Sequence, residues 1–220
     1  MKVEVEENLA TEQRTALAYM QSPAREMLAG ALALDRRLAR IASHMGEPLL
    51  AQIGLAWWRD NLSKPMNERP SGDQVLDDLR RHWQGREQAL QGLIDGWENV
   101  LGDEPLADGA ARRFAEGRAG MFLAAAEYAG CADGPDAILD AARRWALADT
   151  AAHVSRSDER AMLVVLGLEQ GTRPAHLPRP LRGLAVLDAL ARRALRRGGR
   201  PLMDGRGAAL CALRAGLLGR

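Results

Sequence analysis

Carboxylates four residues apart project from one face of a helix, and two such faces opposed can hold divalent ions. Asp73/Asp77, with Asp78 beside it, and Asp136/Asp140 have this spacing. Both pairs fall where a helix begins, where acids cap free N–H groups and are favoured by the helix dipole, so their reading is structural. The four histidines, His44, His82, His153 and His176, show no metal-ligand spacing. Cys131 and Cys211 are lone thiols without a CxxC pair, which argues against a zinc site and a disulfide scaffold and fits a reducing cytosol. No Ser-His-Asp order, phosphate-cradling glycine loop or Rossmann fingerprint is present. The basic cluster Arg192, Arg193, Arg196 and Arg197 suits anionic lipid or an acidic partner. No nucleic-acid-binding motif accompanies it, and nucleic acid is not expected as a partner.

The elements that must position these residues read as helices. Ser22-Pro23 opens one, with Leu28, Ala31, Leu32, Leu38, Ile41 and Met45 at three- and four-residue spacing. Gly46 ends it and Pro48 starts the next, which carries a wide apolar surface of Leu49, Leu50, Ile53, Leu55, Ala56, Trp57 and Trp58. Thr11 and Glu12 open a shorter helix ahead of this pair. Lys64–Gly72 is a polar, proline-containing loop and the candidate mobile segment. Asp73 caps a helix bearing Val75, Leu76, Leu79 and Trp83, and a further helix is expected over Arg86–Leu101. The helix over Ala107–Tyr128 contains Gly117 and Gly120, whose cost of up to ~1 kcal/mol each points to close helix approach. Pro135 and Ser157 start two more helices, and Leu181–Arg197 and Gly205–Leu218 form the last two.

Ala and Leu dominate, β-branched residues are scarce, and no alternating strand is evident, so the class is all-α. The 220 residues form one domain of about ten helices, without a repeat or a clear boundary. Apolar residues make up 47% of the chain, enough for a core, yet no apolar run approaches the ~20 residues of a spanning helix. The acidic start has no apolar signal core. A soluble, cytoplasmic protein is expected. The net charge of +1 is uneven: Arg173–Arg220 holds eleven Arg against Asp188 and Asp204, or +9, leaving −8 on the first 172 residues.

Three patterns in order carry a family resemblance: LALDRRLARIAS with AWWRDNL (Leu32–Ser43, Ala56–Leu62), ALQGLIDGWENVL (Ala89–Leu101) and RRFAEGRAGMF (Arg112–Phe122). Together they resemble the squalene/phytoene synthase family, most strongly over residues 23–154. The resemblance implies an isoprenoid-synthase-like helical bundle around a deep apolar cavity. It also implies enzymes that join two prenyl diphosphates, with Mg²⁺ held by two Asp-rich boxes to release the diphosphate. Matching Arg36 to the family Arg puts the first box on Ala39–Ser43, where no carboxylate remains. The second falls near Asp149–Ser157, with Asp149 at a family Asn position and His153 in place of the first Asp. The pattern therefore resembles the family's catalytically silent branch, a mitochondrial respiratory complex I assembly factor, or bacterial relatives of it, more than the enzymes.

Three functions follow as expectations. The leading one is a non-catalytic protein that binds a membrane protein or respiratory-complex subunit under assembly, or an isoprenoid-like lipid, without a cofactor. It would use Arg36, Arg40, Arg59, Asp149 and His153 as ligand contacts, and could sit peripherally on the inner membrane through Arg192, Arg193, Arg196 and Arg197. The second is a prenyl transferase with unusual metal ligands, Asp149 with His153, needing Mg²⁺. The third is a helical adaptor whose cavity is filled by side chains.

Overall fold

The computed structural model describes residues 9–43, 48–102, 105–132, 134–171 and 176–219. Among them are ten α-helices and no strand. These are α1 (Thr11–Ala18), α2 (Ala24–Ser43), α3 (Pro48–Ser63), α4 (Gln74–His82), α5 (Glu87–Glu98), α6 (Asp108–Tyr128), α7 (Pro135–His153), α8 (Ser157–Glu169), α9 (Arg182–Arg196) and α10 (Gly207–Leu218). Short 3₁₀ turns occupy Met66–Glu68 and Arg179–Leu181. The expected ends at Met45 and Gly46, and His44, lie outside the described residues.

Helices α6 and α7 pack on each other at the centre. Helix α5 lies along α6, α2 also contacts α6, and α3 and α4 sit on α2. On the other side α9 packs on α7 and carries α1 and α10, while α8 rests on α7 and α9. The core between them holds the fully buried Trp83, Trp145 and Phe122. Trp83 donates its indole N–H to the Met27 carbonyl at 2.8 Å, which ties the end of α4 to α2. Trp145 meets Phe122 edge to face, with centroids 5.5 Å apart.

Several local signals act as their chemistry dictates. Asp73 accepts from the N–H groups of Val75 and Leu76 at 2.9 and 3.1 Å, a capped helix start. It also pairs with Arg37, and Asp77 pairs with Arg80, so this i,i+4 pair is structural. Asp140 likewise pairs with Arg143. Helix α8 begins at Ser157 itself, with Arg156 at the N-cap and no side-chain cap; Asp158 in the first turn accepts the Glu159 N–H at 3.0 Å. Ser22 donates to Glu26 rather than capping α2. Gly117 is a close approach, because a Cβ there would meet the Gly92 carbonyl oxygen at 2.3 Å. Gly120 is not, since nothing lies within 4 Å of its would-be Cβ.

The Lys64–Gly72 loop is tied down by guanidinium groups. Buried Arg69 donates to the Leu62 and Lys64 carbonyls and pairs with Glu87, each at 3.0 Å. Arg80 donates to the Arg69 and Pro70 carbonyls. An open depression lined by Met66, Asn67, Arg69, Ser71 and Arg80 remains on this surface.

The apolar surface expected on α3 is split. Leu55 and Trp58 are buried, whereas Leu49, Leu50, Ile53 and Trp57 face outward. An apolar run marks a helix but does not say that every apolar side is covered. Among the described residues, no helix is long and apolar enough to cross a membrane.

Candidate functional site: a buried guanidinium between two carboxylates

The three motif segments meet inside the bundle. Asp35 of α2 belongs to the first, Trp97 of α5 to the second and Arg118 of α6 to the third. Arg118 donates from Nη2 to Asp35 Oδ2 at 2.6 Å and from Nη1 to Asp149 Oδ2, on α7, at 2.9 Å. The Trp97 indole N–H donates to the other Asp35 oxygen at 2.9 Å. Only 3% of the Arg118 side chain and 1% of Asp35 are exposed, against 19% of Asp149, so the group runs from the interior toward the surface.

Aromatic rings hold the guanidinium from its faces. Its carbon lies 4.0 Å from the Trp145 ring centre and 5.4 Å from that of Phe114. Phe114 in turn meets Trp97 edge to face at 4.7 Å. The cation is thus attracted by ring quadrupoles as well as by two carboxylates. Burial opposes its charge, but Asp35 and Asp149 outweigh burial and hold the Arg118 pKa above its ordinary value. Stranding a buried charge by removing its partner costs about 3–5 kcal/mol, so the three ions are mutually dependent.

Asp149 leads outward to His153, one turn further along α7. His153 Nδ1 lies 2.7 Å from the Asp149 carbonyl oxygen and 3.7 Å from its carboxylate, with 69% of the side chain exposed. Glu12, in the first turn of α1, is close enough to feel this group. Burial raises its carboxyl pKa, the Asp149 charge adds to the rise, and His153 and Arg36 work against it. Asp149, His153 and Arg36 therefore share one neighbourhood with Glu12. Arg59 belongs elsewhere, since it pairs with Asp95 and Glu98 on α5. Arg40 is exposed near the end of α2, where its carbonyl accepts from the Ser43 hydroxyl at 3.0 Å.

Asp35, Trp97, Arg118 and Glu12 were not among the residues singled out for ligand contact. Asp35 and Arg118 stand beside other charges in LALDRR and EGRAGMF, so their burial is not marked in the sequence. That they face each other is set by helix packing, which spacing along the chain does not show.

The magnesium fit fails on the donor chemistry. In the first expected box, Ile41 packs toward Gly54, Ala42 is buried, and Arg40 and Ser43 face solvent. The two carboxylates that do converge from facing helices have a guanidinium between them. Among the described residues, no group of three or more His, Cys, Asp or Glu is arranged to hold a metal ion.

A second buried ion group lies across α7. Arg144 pairs with Asp188 on α9 and donates to the Gln170 and Gly171 carbonyls after α8. Arg192 donates to the same Asp188 at 2.8 Å. Burial pulls the Arg192 pKa below its ordinary value against the attraction of Asp188, and the Arg144 charge adds to the fall. Arg192 thus faces inward rather than toward a membrane, and Arg193 donates to the Asp204 carbonyl at 2.8 Å.

Compared with known families, curated proteins and solved structures, the chain matches none.

Proposed function

We propose that this chain is a non-catalytic protein of the squalene/phytoene synthase kind that acts by binding a partner under assembly. The observation that carries this reading is Arg118. It brings together members of the three motif segments, and it uses its own positive charge to neutralise the carboxylates converging from α2 and α7. A fixed guanidinium can hold those helices together, but it cannot exchange its ligands as a metal ion does to draw off diphosphate. The packed Trp83, Trp145 and Phe122 support binding through the outer surface rather than through an isoprenoid held deep inside.

The test is turnover. Purified protein incubated with farnesyl or geranylgeranyl diphosphate and millimolar Mg²⁺ is expected to release no diphosphate above the protein-free control. Magnesium-dependent release would overturn the proposal and favour a transferase with unusual ligands.

A further inference from the structure

Helix α10 is amphipathic with its bulky side facing away from the protein. Its inward face, against α9 and α1, is made of Ala208, Ala212, Ala215 and Gly216. Gly216 is needed there, because a Cβ would come within 2.5 Å of the Tyr19 ring. The leucines point the other way. Leu210 is 70% exposed, Leu213 48%, Leu217 61% and Leu218 57%. Leu210, Leu213 and Leu217 follow i, i+3, i+7 spacing and form one stripe about 10 Å long. Apolar residues on a surface are ordinary when scattered; a stripe of three leucines with a fourth beside its end is not.

Positive charge borders this stripe. Arg214 lies on its shoulder and Arg206 at its start, both exposed. Arg182 reaches the far end, its Nε 3.7 Å from where a side chain at Gly219 would begin. Asp204, just before this helix, lies within 3.5 Å of Arg197 and 3.7 Å of Arg200. We propose that the outward face of α10 docks on an anionic bilayer surface, with Leu210, Leu213, Leu217 and Leu218 entering the headgroup boundary and Arg206 and Arg214 meeting lipid phosphates.

Charge selects the occupant. A second copy packed leucine to leucine would bring Arg206 and Arg214 against their own counterparts, and α10 itself carries no acid to pair with them. A bilayer rich in anionic lipid supplies apolar depth and negative charge together. The long arginine stems can extend along the helix so that their heads stay at the phosphate level. The surface differs from the basic cluster expected from sequence, since Arg192 is buried. It does not depend on Arg118, so a transferase result in the turnover assay leaves this inference intact.

The experiment is co-sedimentation of the full chain with vesicles of phosphatidylcholine alone or mixed with phosphatidylglycerol, at low and at physiological salt. Binding to the anionic vesicles is expected, negligible on the neutral ones, and weaker but not lost as salt rises. Arg206→Gln with Arg214→Gln should lower the partition constant roughly 25-fold, about fivefold for each charge. Leu213→Ser with Leu217→Ser should lower it by roughly tenfold or more. The exposed control pair Val165→Ser and Leu168→Ser on α8 should leave it unchanged. Circular dichroism should show all variants melting as the parent does; if the leucine variant does not, the arginine variant decides. Absence of binding, equal binding to neutral vesicles, or indifference to the arginine variant would each overturn the inference. So would light scattering that shows a dimer split by the leucine variant, because the face would then belong to a second copy.

Discussion

At the scale of single residues, the site is a set of charges whose energies depend on one another. Glu12 shows this most directly. Its carboxyl pKa stands above the ordinary 4.5, because burial and the nearby Asp149 charge disfavour its ionised form. The native protein therefore holds that proton more tightly than the unfolded chain. Above the native pKa the ionised group costs stability; the cost shrinks as pH falls toward 4.5 and is absent below it. Arg36 and His153 moderate the effect but do not reverse it. Glu12→Gln removes the ionisation and should raise the thermal midpoint at pH 7 by roughly 1–3 °C, with no gain near pH 4. Melting curves at the two pH values check this, and a variant less stable than the parent at pH 7 would refute the assignment.

At the scale of elements, helix contacts are set by where small residues permit backbones to meet. The two interior glycines of α6 read alike in sequence, and both were expected to mark close approach. Only Gly117 does, because it faces α5 across Gly92 and Gly96. Gly117→Ala should cost about 1–3 kcal/mol or more through overpacking, whereas Gly120→Ala should gain up to ~1 kcal/mol from helix propensity. Urea denaturation of the two variants should give shifts of opposite sign; shifts of the same sign would mean that α5 and α6 do not pack in this way. The comparison also shows what was legible beforehand. The all-α class, the cap at Asp73 and the starts at Pro48 and Pro135 follow from local chemistry. The face a helix turns inward does not, when apolar residues surround it. On α3 the run Leu49–Trp58 gave no sign that Leu49, Leu50, Ile53 and Trp57 would be left outside, and α10 buries its alanines rather than its leucines. For the site, the resemblance points to Asp149 and His153, which do lie together at one end of the buried group. Their partners Arg118 and Asp35 are separated by 83 residues, a pairing that exists only after the helices have packed.

At the scale of the whole molecule, α7 joins the helices on its two sides through buried ion pairs. Asp149 ties it through Arg118 to α6 and α2, and Arg144, on the same helix, ties it through Asp188 to α9. Asp188 is also the anion for Arg192, so one buried carboxylate compensates two guanidinium groups at the centre of the Arg-rich C-terminal part. Replacing it by asparagine removes the charge that both guanidinium groups pair with. Asp188→Asn should therefore cost about 3–5 kcal/mol, or roughly 10 °C in thermal midpoint. By contrast Glu169→Gln, which removes only an exposed partner of Arg112, should cost less than about 1 kcal/mol. The loss should also be local before it is global. Amide exchange measured by mass spectrometry should accelerate first in α9 and α10, while α4 and α5, held by Trp83, Gly117 and the Arg118 group, stay protected. Uniform acceleration across all ten helices would show that α7 does not separate the two halves and that the chain opens as one unit.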